Sequence, residues 1–356
     1  MGQHMKSAVT LDDKYAEKSG RIYLNGMQAM VRIPIMQHRL DTAAGLKTAT
    51  FISGYRGSPL GGVDMALQSA QKFLDEHDIK FVPGVNEDLG ATAVWGSQQL
   101  NLGPGALYDG IVGMWYGKGP GVDRSLDVLK HANAAGSSKH GGVLAFAGDD
   151  HACKSSTFPH QSEHAMIHAM IPMINPAGIQ DALDLGLHGI AMSRYSGCWT
   201  GFKVISDFAD SSASVTTDPF ALDFKKPTDF PMPDGGLNIR WYDKPVEQEE
   251  RLVTLKLPAA RAYARANKLD RFIIDPPQKR LVIVTTGKAY MDTMQALEDL
   301  GITRARAAEM GIAVYKVALV WPLEEEGILS FASKTPEILV VEEKRGVIED
   351  QIRRLL

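Results

Sequence analysis

The sequence predicts an α/β fold, a doubly wound parallel sheet followed by a smaller α/β unit. From Lys47 into the 160s, short apolar runs alternate with glycine-rich turns and helical patterns, as parallel strands joined by crossover helices do. Between Ser211 and Lys279 that rhythm fades and prolines gather at Pro227, Pro231, Pro233 and Pro245. At Leu281 the rhythm starts again.

The first expected strand is residues 48–52, running into the loop Ser53-Gly54-Tyr55-Arg56-Gly57-Ser58-Pro59-Leu60-Gly61-Gly62 and a helix over 63–75 with apolar residues at helical spacing. Phe81-Val82-Pro83 reads as strand-like and leads into Asn86-Glu87-Asp88, where small residues open another helix. A strand over 109–116 precedes the loop Gly117-Lys118-Gly119-Pro120-Gly121 and a helix over 124–135; a strand over 142–147 precedes Gly148-Asp149-Asp150. A helix at 179–193 and a strand at 200–205 close the first unit. The irregular stretch 211–279 encloses one helix, 247–266, and its Trp241, Phe272 and Ile273 give it surface to bury. The second unit has strands at 281–284, 314–320 and 338–341, a helix at 290–300, and a last helix at 348–356 with no stop signal. The expected division is a tail at 1–19, a first domain at 20–235, a connector at 236–274 and a second, truncated domain at 275–356.

At 356 residues the chain is long enough for two domains, because single cores rarely grow beyond about 250 to 300 residues. Apolar residues at 44% and charged residues at 22% are ordinary for a globular protein, so real cores are expected. A formal net charge of -4 gives no electrostatic reason to bind nucleic acid or an anionic membrane. Cys153 and Cys198, the two cysteines, exclude a disulfide framework and a cysteine-ligated cluster within this chain. No run of about 18 apolar residues occurs, and the N-terminus is too polar for a signal peptide, which makes the cytoplasm the expected compartment. Met1-Gly2-Gln3-His4-Met5 is either a polar tail or a cloning remnant and is set aside.

Ligands of open parallel sheets bind outside the carboxyl ends of the strands, where the glycine-rich loops converge. Taken alone, Asn86 would cap a helix, with Glu87 and Asp88 interacting with its macrodipole. Three segments in register say more. Gly54-Tyr55-Arg56-Gly57-Ser58-Pro59 resembles the Gly-Tyr-Pro-Gly-Thr-Pro loop of indolepyruvate:ferredoxin oxidoreductases. Asn86-Glu87 with Gly90, Ala91 and Ala93 resembles the segment holding that family's cofactor glutamate. Asp149-Asp150, Ser155-Ser156, Gln161 and Glu163 resemble its Asp-Asp and Ser-Ser-Gln-Asn-Glu run. Leu339-Val340-Val341-Glu342-Glu343 extends the likeness into the second unit.

The resemblance implies a thiamine-diphosphate pyrimidine-binding domain followed by a transketolase-C-terminal-like domain, from the N-terminal part of a 2-oxoacid:ferredoxin oxidoreductase. It implies oxidative decarboxylation of a 2-oxoacid, an aryl pyruvate such as indolepyruvate, to acyl-CoA, with thiamine diphosphate as the electron sink. Glu87 is then the catalytic and cofactor-binding acid, with Gly57 and Lys118 beside the cofactor and Ser58, at the family's Thr, on the substrate carboxylate. Arg56 replaces the family's Pro, and Asp123-Arg124 departs from its Asn. The diphosphate-binding and gamma-type domains, Mg2+, the 4Fe-4S clusters, and the sites for coenzyme A and ferredoxin lie elsewhere in the complete enzyme, a homodimer by resemblance. The chain by itself is accordingly expected to fold but to hold thiamine diphosphate weakly and turn over no 2-oxoacid.

Two readings compete. His160, His164 and His168 stand at i, i+4 and i+8 near His151 and Cys153, a spacing that chelates zinc if residues 162–170 are helical. That would make a zinc hydrolase or metal-binding module, although no H-E-x-x-H pattern is present; the expectation is no metal ligand. The other is a non-catalytic assembly scaffold, in which a retained Glu87 would be a needless desolvation cost.

Overall fold

The structure, a computed structural model, describes residues 9–241 and 243–356; Met1 to Met5 lie outside them. The expected tail is partly packed. A short helix, Asp13–Ala16, buries Tyr15, and its carbonyls are held by two arginines of the long helix Gly26–Ala43. Arg32, fully buried, donates to Lys14 O at 3.0 Å and to Glu17 O, while Arg39 donates to Tyr15 O at 3.2 Å and Glu17 O at 2.9 Å.

Strand β1, Arg21–Asn25, was not expected; it pairs antiparallel with a strand far along the chain, Ser212–Thr216. The main body follows with β2 (Thr48–Gly54), β3 (Ile79–Phe81), β4 (Gly110–Lys118), β5 (Val143–Asp149), β6 (Met173–Ile174), β7 (Thr200–Ile205) and β8, the partner of β1. The second unit contributes β9 (Arg271–Ile274), β10 (Leu281–Thr286), β11 (Ile312–Val317), β12 (Leu319–Trp321) and β13 (Glu337–Val341). The larger sheet runs β12-β6-β7-β5-β4-β2-β3 and the smaller β13-β10-β11-β9. Within the larger sheet β3, β2, β4, β5, β7 and β6 are parallel; β5 and β7 are buried throughout because helices cover both faces. This is the α/β architecture the sequence predicts.

One core packs β2, β4, β5 and β7 against the helices Gly26–Ala43, Ile179–Ser196 and Leu257–Ala266. The other lies on the opposite face and is continuous with the second unit, joining Trp115, Val143 and Trp199 to Val284, Tyr315 and Phe331. The expected strand 314–320 is broken at Ala318, where the chain leaves the smaller sheet and enters the larger. Asp270 pins the crossing by accepting from the Ala318 and Leu319 N–H groups at 2.7 and 3.0 Å, and β12 then pairs antiparallel with β6. The expected helix 63–75 is two helices, Val63–Ser69 and Gln71–Glu76. The connector helix runs through Pro245–Arg251, a π-helical turn Leu252–Lys256, and Leu257–Ala266.

This connector helix touches His188, whose ring lies 4.9 Å from Phe224 and whose Nδ1 is 3.0 Å from the Tyr263 hydroxyl. Burial, with Arg271 adding, pushes the imidazole pKa down from 6.5 to about 4. The folded state therefore binds fewer protons than the unfolded one between those values. His188 favours folding above pH 6.5 and loses that contribution as pH falls toward 4. A urea midpoint measured across this window should drop on acidification, and less steeply in His188→Gln; identical slopes would show that His188 does not drive the change.

Candidate functional site

The strand order reverses at β2 and β4: β3 lies on one side of β2, while β4, β5 and β7 extend from the other. At such a switch point the loops diverge and leave a crevice at the carboxyl edge. Three of the expected segments end here: the loop after Gly54, Lys118 at the end of β4, and Asp149-Asp150 at the end of β5.

Helix Glu87–Gln98 crosses beneath this edge. Asn86 caps it, accepting from the Leu89 N–H at 2.9 Å. Its first turn presses on β2 through two glycines, since a Cβ added at Gly90 would lie 3.1 Å from the Gly54 Cα. The buried Trp115 indole donates to the Glu87 carbonyl at 2.9 Å and fixes the turn from the other side. Glu87 is 7% exposed, and its carboxylate makes no hydrogen bond or ion pair among the described residues. Facing it is Gly121, where a Cβ would come within 2.5 Å of Glu87 Cγ and 2.8 Å of Oε1. Asp88 lies on the surface in an ion pair with Arg124 at 2.8 Å.

The other expected residues fall into two contacts. Gly57 lies against Lys118, whose Cδ would be 2.6 Å from a Cβ at that glycine. The Ser58 hydroxyl shares a hydrogen bond with Ser155, and Ser156 Oγ donates to Ser58 O at 3.4 Å. Ser155 and Ser156 are placed by Asp150, whose carboxylate accepts from the backbone N–H groups of Lys154, Ser155 and Ser156 at 3.0, 2.8 and 3.1 Å. Residues 117–121, expected as a loop, are instead the end of β4 and the start of helix Gly119–Arg124.

Sequence reasoning missed Lys203. It lies buried in β7, bonded to Glu163 and 3.9 Å from Asp149, itself fully buried. Burial pushes both carboxyls up; the Lys203 ammonium outweighs it for Glu163, which falls below its ordinary range, while Asp149 stays above. The available signal was one lysine inside an otherwise apolar strand, Thr-Gly-Phe-Lys-Val-Ile.

The spacing that suggested zinc does not put the three histidines on one helical face. The helix is Glu163–His168, so His160 precedes it and shares no helical face with His164 and His168. Asp149 causes this by accepting from Ser162 N and Oγ at 2.8 and 2.7 Å, which starts the helix after His160. His160 turns to Asp123 at 3.6 Å and His151 to Glu343 at 3.5 Å, while the Cys153 thiol donates to Ser156 O. Among the described residues no group of three or more His, Cys, Asp or Glu side chains is placed to hold a metal ion. No helix among them is long and apolar enough to cross a membrane.

Comparison with known proteins agrees with the motifs. Residues 271–356 match the indolepyruvate oxidoreductase domain family. Over 95% of its length the chain is 21% identical to indolepyruvate oxidoreductase subunit IorA of Methanothermobacter marburgensis, and equally so to IorA of Methanothermobacter thermautotrophicus. It covers 49% of each, so the chain spans about half the length of these relatives. Its fold is similar to that of a 2-oxoglutarate:ferredoxin oxidoreductase from Magnetococcus marinus, solved with 2-oxoglutarate, coenzyme A and succinyl-CoA bound. The TM-score is 0.68 at 13% identity, covering 94% of this chain and 60% of that one. The second unit thus matches the indolepyruvate oxidoreductase domain family, and the chain as a whole is similar to indolepyruvate oxidoreductase subunit IorA through both units.

Proposed function

We propose that this chain holds the aminopyrimidine half of thiamine diphosphate in a 2-oxoacid:ferredoxin oxidoreductase acting on an aryl pyruvate such as indolepyruvate. The observation that carries the proposal is the Glu87 carboxylate, buried at the switch point with no protein partner among the described residues and a glycine opposite it. The residue is buried while its carboxylate oxygens open into the crevice without a protein partner among the described residues, which leaves them free to bond a ligand there. A flat nitrogen heterocycle with an amino group fits that donor set. When bound, thiamine diphosphate supplies the electron sink that 2-oxoacid decarboxylation needs.

The chain's own residues then have separable tasks. Glu87 holds a proton against the ring nitrogen, and Gly121 leaves room for it. Trp115 and Asn86 fix the backbone that carries Glu87, while Gly57 and Lys118 wall the crevice. Ser58 donates to the substrate carboxylate. Two cysteines, one of them fully buried Cys198, cannot ligate an iron-sulfur cluster. In this proposal the 4Fe-4S clusters, the Mg2+ and diphosphate site, and the sites for coenzyme A and ferredoxin belong to the remainder of a complete, homodimeric, cytoplasmic enzyme, with domains divided near residues 235 and 275.

The test is anaerobic turnover by the native protein with coenzyme A, following ferredoxin reduction for indolepyruvate, phenylpyruvate and aliphatic 2-oxoacids. Reduction with an aryl pyruvate that depends on thiamine diphosphate is the expected result. Absence of reduction with every 2-oxoacid, in protein to which thiamine diphosphate does not bind, overturns the proposal.

A further inference from the structure

Residues 150–162 form a loop that touches the candidate site on one side and the second unit on the other. Toward the site, Ser155 and Ser156 hold Ser58, and His160 packs against Gly119, where a Cβ would come within 2.3 Å of the His160 Cβ. Toward the second unit, Gln161 donates to Arg345 O at 2.8 Å and accepts from Arg345 N at 3.1 Å. On the same side Lys344 Nζ donates to His151 O at 3.1 Å, and His151 faces Glu343. The loop is closed at its neck, where Asp149 at one end accepts from Ser162 at the other.

Beneath that neck stands Lys203. It belongs to neither end of the loop, yet its ammonium reaches the carboxylates of both, Asp149 and Glu163. All three side chains are buried, and the second oxygen of Glu163 has no hydrogen-bond partner. A buried ionic cluster of this kind is weak as a source of stability, and an apolar side chain of similar volume would fill the strand at least as well. What the ammonium adds is a fixed geometry between two points of the chain. We propose that Lys203 is a positioning residue: by tying the two ends of the loop together it sets the Ser58 hydroxyl and joins the candidate site to residues 342–346 of the second unit. The catalytic half of this inference rests on the function proposed above.

Hydrogen exchange read by mass spectrometry, and steady-state kinetics, on the native protein test it. Three variants are needed: Lys203→Met, Lys203→Arg, and Lys203→Met with Glu163→Leu, which removes the ammonium together with the carboxylate bonded to it, leaves Asp149 to its bonds from Ser162, and keeps the test open if the single variant misfolds. In the folded double variant, amides of residues 154–156 and 345–349 should exchange about tenfold faster while those of β4 keep native rates. The KM for the 2-oxoacid should rise about tenfold with a smaller change in kcat, the sign of lost substrate positioning, and Lys203→Arg should recover most of both. Native exchange in these segments, or a uniform rise that includes β4, overturns the tie. If exchange responds but the unsubstituted protein turns over no 2-oxoacid, the proposed function falls and Lys203 is an anchor of the loop alone.

Discussion

Glu87→Gln in the complete enzyme is expected to lower kcat by about 10²- to 10⁴-fold, the range typical of a removed acid-base group, and to leave folding unchanged or slightly improved. The two halves of that expectation come from one observation. The Glu87 carboxylate has no partner among the described residues, so exchanging an oxygen for an amide nitrogen breaks no bond of the fold. The cap by Asn86 and the bond from Trp115 use the Asn86 side chain and the Glu87 backbone, both untouched. An amide of the same shape cannot hold or release the proton. The measurement is kcat beside a denaturation midpoint for each protein. Wild-type turnover by the amide variant would remove Glu87 from the chemistry, whereas loss of activity with a lowered midpoint would point to a structural carboxylate.

Gly54→Ala should cost about 3 kcal/mol or more, at the upper end of what overpacking does. Its Cβ would come within 2.2 Å of the Tyr116 carbonyl oxygen and 2.6 Å of the Tyr116 ring. The obstacle is backbone of β4, a strand held by β2 on one side and β5 on the other, and it cannot swing aside as a flexible side chain would. Gly96, on the exposed side of the helix that begins at Glu87, gives the opposite sign: a Cβ there meets nothing within 4 Å. Gly96→Ala should therefore stabilise by about 0.4 to 1 kcal/mol through the unfolded chain. Urea midpoints of the pair check both. Equal midpoints would mean that the strands separate more easily than their pairing implies.

The parts of the fold legible in the sequence are those with long uniform burial. β4, β5 and β7 are nearly all apolar because helices cover both faces, and their runs stand out against the glycine-rich turns. β1 and β8 make a two-stranded ribbon with exposed positions, and β6 and β12 have two and three residues, too few to set a period. The glycines after Tyr116 misled in a different way. Gly117 lies under the Trp115 ring and Gly119 against His160, so both are small for the sake of close packing and not for a turn. The site was legible as separate motifs: Gly57 and Lys118 lie 61 positions apart and Ser58 and Ser155 lie 97 apart, and only folding brings each pair together. Lys203 showed only as a lone charge in an apolar strand, because its meaning comes from two acids about 40 and 54 positions earlier, read by resemblance and not by charge.

The strand that leaves one sheet for the other has a consequence for ancestry. β12 lies within the residues matched to the indolepyruvate oxidoreductase domain, yet it forms the outer border of the sheet built by residues 48–205. A gene fusion or recombination event with its junction near residue 270 would leave β6 bare along one side, a ready template for pairing with other chains. An incoming second unit would have to bring a border strand already cut to fit β6, with an acid at Asp270's place to hold the crossing. The two units are two in sequence pattern and one as an heirloom, sharing a core as well as the three residues of that border strand.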